Sequence, residues 1–138
     1  MMDHEITSKI VQTACFCTGI QNMEVREEPY EPVPYLYYGD PMDAVDKLGN
    51  PVHATIYVDI TSEVNVKEKM LACHASQRNW LLTHHQVDEY ILSMKRHASS
   101  RGKEINVSYA EGFRQNLGHG HAKENILAKI LGNYVVVK

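Results

Sequence analysis

The stretch from His53 to Gln77, HATIYVDITSEVNVKEKMLACHASQ, constrains the fold more than any other part of the chain. It opens with β-branched and aromatic residues up to Asp59, which predicts a strand. The polar residues that follow can accept hydrogen bonds from the free N–H groups of a helix start, so Asp59 and Thr61 are predicted to cap a following helix. A strand that ends in polar residues directly before a helix forms a βα corner, and ligands often lie at such corners in α/β sheets.

Composition limits the classes of partner. A formal net charge of −3 over 138 residues does not favour binding to nucleic acid or to an anionic membrane surface. No apolar run approaches the roughly 18 residues of a membrane span, and no secretory signal opens the chain. The three cysteines are an odd number, which indicates reduced thiols and a cytoplasmic protein. Because no second pair stands at zinc-site spacing, Cys15 and Cys17 are interpreted as small core residues rather than metal ligands.

Hydrophobic periodicity in the rest of the chain predicts helices at residues 6–18, 86–99 and 122–131, and strands at 35–38, 106–109 and 134–137. The pair Arg101-Gly102 is expected to stop the second of these helices. The alternation of helices and strands favours an α/β fold with a mostly parallel sheet. Because the first helix has no strand before it, residues 1–138 are expected to form a single partial domain, the back half of such a fold.

Three phrases in the chain resemble the C-terminal half of the PIG-L/LmbE-like deacetylases. They are VDIT ending at Thr61, KEKMLACHASQ ending at Gln77, and YAEGF ending at Phe113. The tail up to Gly132 is also similar to that family, so the resemblance covers nearly the whole chain. It implies a Rossmann-like, three-layer α/β/α fold with a mostly parallel sheet. It also implies a zinc-dependent hydrolase that removes an N-acetyl group from an amino-sugar (GlcNAc-like) conjugate.

The resemblance also implies a zinc site built from two motifs, of which the first, A-H-P-D-D-E, is absent from this chain. Met1-Met2-Asp3-His4 is similar to the second motif, H-x-D-H. His4 then matches the third zinc ligand and Asp3 the catalytic carboxylate that orients the site, while Met1 stands where many relatives have the first His. The residues alone leave another interpretation open, in which Asp3 is a helix N-cap and His4 an exposed first-turn residue.

One histidine cannot form a catalytic zinc site, which takes three protein ligands and a water molecule. We therefore expect this polypeptide alone to bind zinc weakly and to lack deacetylase activity, so whether the chain is itself an enzyme stays open. A complementing N-terminal half that carries H-P-D-D would complete the site. The alternative is a non-catalytic relic that acts as a binding or oligomerisation module, and a homo-oligomer is expected.

Three further residues are candidates for the neighbourhood of the site. His74 and Gln77 stand three apart on one predicted helix face, where both could support the site through a neighbouring loop or contact substrate. Glu111 could face the site or pair with Arg114.

Overall fold

The computed structural model describes residues 2–85 and 89–138, apart from the side chains of Met42, Gln77, Leu81 and His85. The chain divides into two compact units. The first contains helix α1 (Met2–Cys17) and comprises the chain up to Tyr38 together with Gln115–Ile126; it is called the α1 unit below. The second comprises Gly39–Arg114 and Leu127–Lys138 and is called the sheet unit.

The remaining elements follow in chain order. They are β1 (Tyr37–Gly39), β2 (Ile56–Asp59), α2 (Val64–Ala72), α3 (Ala75–His85), α4 (Glu89–Glu104), β3 (Ala110–Gln115), α5 (Ile126–Leu131) and β4 (Val135–Val137). Two short 3₁₀ segments cover Met42–Ala44 and Gly132–Tyr134. The predicted strand within His53–Asp59 and the predicted terminal strand are confirmed, each in a shorter form.

The four strands form one sheet in the order β1-β3-β2-β4, and β2 pairs antiparallel with both of its neighbours. The expected Rossmann-like α/β/α fold with a mostly parallel sheet is therefore wrong, and the chain is a small α+β protein. Strand β3, AEGFRQ, buries Ala110 and Gly112 and leaves Glu111 and Phe113 partly exposed. Such alternation is typical of an antiparallel strand with one covered face, whereas strands of parallel sheets are buried on both faces.

The core of the sheet unit lies where β2 and β3 meet the helices that follow β2. Its buried apolar residues are Ala54, Ile56, Tyr57, Val64, Ile91, Ala98 and Ala110. Helix α4 buries residues at positions 91, 98, 101 and 102, a spacing that keeps one face toward the core. Helix α1, by contrast, has no buried residue.

Helix α4 runs through Arg101-Gly102 to Glu104, so the predicted stop at that pair is wrong. Beyond the last helical residue, Asn106 has a φ of +61°, which is the left-handed conformation of a C′ residue. The N–H of Val107 donates to the carbonyl of Gly102 at 3.0 Å, which is the long hydrogen bond of a Schellman-type ending. This ending occupies part of the strand predicted at residues 106–109, and the strand begins at Ala110 instead.

Candidate functional site

The βα corner at the end of β2 is joined to the start of β3 by hydrogen bonds. Asp59 Oδ1 accepts from the backbone N–H of Thr61 at 2.9 Å, which closes a local turn. Thr61 Oγ1 accepts from the N–H of Tyr109 at 3.2 Å and lies 3.4 Å from its carbonyl oxygen. Helix α2 starts behind Glu63 without a side-chain cap, so the prediction that Asp59 and Thr61 cap this helix is wrong. Asp59 instead closes the turn after β2, and Thr61 connects this turn to Tyr109, the residue before β3.

An ion pair connects α2 to β3 beside this corner. Lys67 Nζ lies 2.6 Å from Glu111 Oε1, and both side chains are half-buried. In the sheet, Glu111 stands opposite Val58 of β2. The expected pairing of Glu111 with Arg114 is thus replaced by a partner from another element, 44 residues away in sequence. Lys67 neutralises the carboxylate and holds it at the corner.

His74 and Gln77 lie where α2 passes into α3. The predicted single helix is interrupted here, because α2 ends at Ala72 and α3 begins at Ala75. His74 is exposed, and its carbonyl accepts from the N–H of Arg78 at 3.1 Å, as the residue before a helix does. The side chain of Gln77 lies outside the described part of the chain. The roles of both residues therefore stay predictions.

Asp3 and His4 are brought together in the first turn of α1. Their side chains are 75% and 71% exposed, and His4 Nε2 lies 3.8 Å from Asp3 Oδ2. Asp3 and Glu5 place negative charge at the positive end of the helix dipole, which favours the helix start. The pair therefore exposes one imidazole and one carboxylate on the surface of the α1 unit.

A resident zinc ion would need a third protein ligand beside this pair. Within residues 2–85 and 89–138, no three histidine, cysteine or carboxylate side chains come together in a group that could hold a metal ion. The donor set of Asp3 and His4 alone therefore does not fit a complete zinc site.

A buried charged cluster, which the sequence interpretation missed, lies in the sheet unit around Arg101. Arg101 is only 5% exposed. Its Nε donates to Asp40 Oδ2 at 2.6 Å, its Nη1 to Glu104 Oε1 at 2.7 Å, and its Nη2 to the carbonyl of Val52 at 2.9 Å. We call Arg101, Asp40, Glu104, Tyr57 and the adjacent His97 the Arg101 cluster. Arg101 lies on the apolar face of α4 together with Ile91 and Ala98. A charged residue on such a face indicates a buried charge that needs a partner, and this pattern in the sequence could have identified the cluster.

The cluster shifts the pKa of Tyr57 and of Glu104, as well as that of Arg101. Burial, with a further contribution from the hydrogen bond to Glu104, raises the pKa of Tyr57 to about 12. Burial alone would raise the pKa of Glu104. The hydrogen bonds that Glu104 accepts from Tyr57, at 2.5 Å, and from Arg101 outweigh that effect and lower its pKa.

These shifts predict a pH window for stability. Because its folded pKa is lowered, Glu104 stabilises the fold above its unfolded pKa of about 4.3, and this contribution is lost as pH falls further. Because its folded pKa is raised, Tyr57 contributes fully below about pH 10 and loses its contribution as pH rises toward about 12. Urea unfolding at a series of pH values measures this contribution. Glu104→Gln should reduce the fall in the free energy of unfolding at acid pH (the acid limb) relative to the unchanged chain, whereas Glu28→Gln, an exposed control, should not. Equal acid limbs in the two variants would contradict this assignment.

No family model, curated protein or solved structure matches this chain. Among the described residues, no helix combines the length and apolarity needed to span a bilayer.

Proposed function

We propose that this chain forms the C-terminal part of a zinc-dependent hydrolase of the PIG-L/LmbE type, which removes an N-acetyl group from an amino-sugar conjugate. The supporting observation is that the three phrases on which the resemblance rests meet in space. Thr61 of the first phrase bonds to Tyr109 of the third across 48 residues of sequence. Lys67 of the second bonds to Glu111 of the third across 44 residues. Short similarities that arise by chance have no reason to converge on one corner.

In this proposal the named residues have separate roles. His4 supplies one zinc ligand, and Asp3 is the carboxylate that orients the site. His74, Gln77 and Glu111 support the site or contact the amino-sugar substrate. The other ligands and the general base belong to the A-H-P-D-D-E motif that this sequence lacks, so they come from a complementing N-terminal half.

The surface of α1 supports the need for such a partner. Met2, Ile6 and Ile10 recur at intervals of four residues, and all three are exposed. A helix with an apolar stripe ordinarily buries that stripe against another element. The complementing half is the proposed element.

The test is acetate release from an N-acetylglucosamine conjugate in the presence of zinc. We expect none from the chain alone, because one histidine cannot complete a three-ligand site. A polypeptide that carries A-H-P-D-D-E, supplied in trans, should restore turnover. His4→Ala should abolish the restored turnover, whereas His53→Ala, which removes an exposed histidine of the sheet unit, should leave it unchanged. Turnover by the isolated chain, or none after complementation, would overturn the proposal.

The second candidate is a non-catalytic module that binds a partner or associates with itself, and the same exposed stripe on α1 favours it. A homo-oligomer would cover Met2, Ile6 and Ile10 with a second copy of the chain. The two candidate functions predict different DNA sequences upstream of Met1. An in-frame A-H-P-D-D-E codon run there supports the enzyme, and its absence there and in adjacent genes supports the module.

A further inference from the structure

The apolar stripe of helix α1 is left uncovered by the rest of the α1 unit. Met2, Ile6 and Ile10 are 77%, 50% and 62% exposed. An α-helix turns about 100° per residue, so these three side chains lie within an arc of about 80° on one side of the helix. Phe16, in the last turn of the helix, is the residue that lies against the loop 116–121. The stripe is therefore open to another molecule.

The total exposed area of the chain indicates that a partner covers part of its surface. The chain exposes 10162 Å². The scaling of surface with mass gives about 7,300 Å² for a folded monomer of 15.7 kDa, and about 8,700 Å² if its two units fold separately. The surplus over the larger figure, about 1,400 Å², exceeds the roughly 800 Å² that each partner buries in a protein interface of standard size. The surplus is thus large enough for a stable interface.

Two charged residues lie along one side of the stripe. Lys9 lies about 20° beyond Met2 around the helix, and Glu5 lies about 60° beyond it in the same direction. Both side chains are exposed, and no ion pair between described residues involves either of them. One positive and one negative charge are therefore available to a partner that covers the stripe.

A second copy of α1 complements this surface when the two helices run antiparallel. Thr7 is midway between Glu5 and Lys9, so a twofold axis at Thr7 places Glu5 of each copy level with Lys9 of the other. In such a pair the same sides of the two helices meet, and two Glu5–Lys9 ion pairs form. Ile6 of each copy then packs between Ile6 and Ile10 of the other, as a knob in a hole.

A parallel pair would not match these charges. It would bring the positive N-terminal ends of the two helix dipoles together. It would also place Glu5 about one turn of the helix away from Lys9 of the other copy. The antiparallel pair opposes the dipoles and satisfies both charges twice. This self-complementarity is the observation that points to a second copy of the chain as the partner.

We propose that, in the absence of another partner, two copies of this chain associate through the stripe of α1 as an antiparallel pair with twofold symmetry. The proposal deepens the second candidate function and rests on it, since that function includes self-association. A complementing N-terminal half, where it is present, would compete for the same stripe. The pair itself requires neither zinc nor the βα corner.

Sedimentation equilibrium of the full chain over a range of concentrations tests the association. The mass should rise from that of one chain to that of two and no further, because a twofold interface is closed. Ile6→Glu places a charge at the centre of the interface and should leave the chain monomeric. Ile130→Glu makes the same change on α5 of the sheet unit, at a residue that is 70% exposed, and should leave the dimer intact. Both isoleucines are exposed in the single chain, so neither variant is expected to unfold it.

Charge reversal tests the orientation of the two helices. Glu5→Lys replaces two attractive contacts in each dimer by two repulsive ones and should weaken the association about tenfold. Combining this change with Lys9→Glu restores opposite charges across the interface, so the double variant should recover most of the lost affinity.

Three results would overturn the proposal: a chain that stays monomeric at every concentration, equal effects of Ile6→Glu and Ile130→Glu, or no recovery of affinity in the double variant. Acetate release with the complementing polypeptide is measured separately and requires zinc, whereas the mass measurement does not. A monomeric chain that gains turnover on complementation would therefore contradict the dimer and leave the deacetylase proposal standing.

Discussion

Replacing Arg101 with alanine should lower the free energy of unfolding by about 3–5 kcal/mol, because removing one partner leaves a buried charge without compensation. The side chains of Arg101 and Asp40 are only 7% and 6% exposed. Without the guanidinium, Asp40 would have His97 beside it, with Nε2 3.5 Å from Asp40 Oδ2, and this pair carries opposite charges only when the imidazole is protonated. Urea unfolding near neutral pH measures the difference between the variant and the unchanged chain.

Arg96→Ala is the matched control. Arg96 lies on the same helix and pairs with Glu89, but these two side chains are 65% and 39% exposed. Exposed ion pairs contribute about 0–1 kcal/mol, so this variant should change the free energy of unfolding by no more than that. Adding Asp40→Asn to Arg101→Ala should recover part of the loss, since a neutral amide needs no counter-charge. Equal losses for Arg101→Ala and Arg96→Ala would show that the buried pair does not stabilise the fold.

The existence of most elements could be predicted from the sequence, but their arrangement in the sheet could not. The β-branched run before Asp59 predicts a strand, and β2 is one. Whether a neighbouring strand runs parallel or antiparallel to β2 depends on the end of the sheet to which the connecting segment returns. The hydrophobic periodicity of a strand carries no information about that connection. The sequence of β3 did indicate an antiparallel strand. In its first four residues, AEGF, the small buried residues Ala110 and Gly112 alternate with the larger, partly exposed Glu111 and Phe113.

The ion pairs of the candidate site lay beyond sequence reasoning for a related reason. Lys67 and Glu111 meet because α2 packs near β3, and a separation of 44 residues gives no local signal for such a pair. Arg101 was interpreted with Gly102 as a helix stop, although its position on the apolar face of α4 indicated burial. A charge on an apolar face needs a partner, and Asp40 is that partner.

The Arg101 cluster and the βα corner are connected through Gly112. A Cβ at position 112 would lie 2.5 Å from Asp40 Oδ2 and 2.8 Å from the Cβ of Ala54. The residue at this position must therefore be glycine for β3 to pass over the buried carboxylate. Glu111 directly precedes it, so the cluster helps to position the strand that carries Glu111 to the corner. The buried charges thus act on the candidate site by holding its scaffold.

Gly102→Ala should lower the free energy of unfolding by about 3 kcal/mol, although alanine is the better helix former by about 1 kcal/mol. A Cβ at this position would lie 2.6 Å from the carbonyl oxygen of Val107 and 2.8 Å from the carbonyl carbon of Ser108. Both are backbone atoms, which cannot move aside as a flexible side chain can. The new methyl group would push the segment that leads into β3 away from α4. Urea unfolding measures the loss.

Gly39→Ala tests the packing argument with the opposite expectation. A Cβ at Gly39 would meet nothing within 4 Å, and the residue lies at the exposed end of β1. Alanine there mainly restricts the unfolded chain, so the free energy of unfolding should rise by about 0.4–1 kcal/mol. If both variants stabilised the chain, helix propensity would outweigh packing at position 102, and the close approach of α4 to Val107 and Ser108 would not be a constraint on the fold.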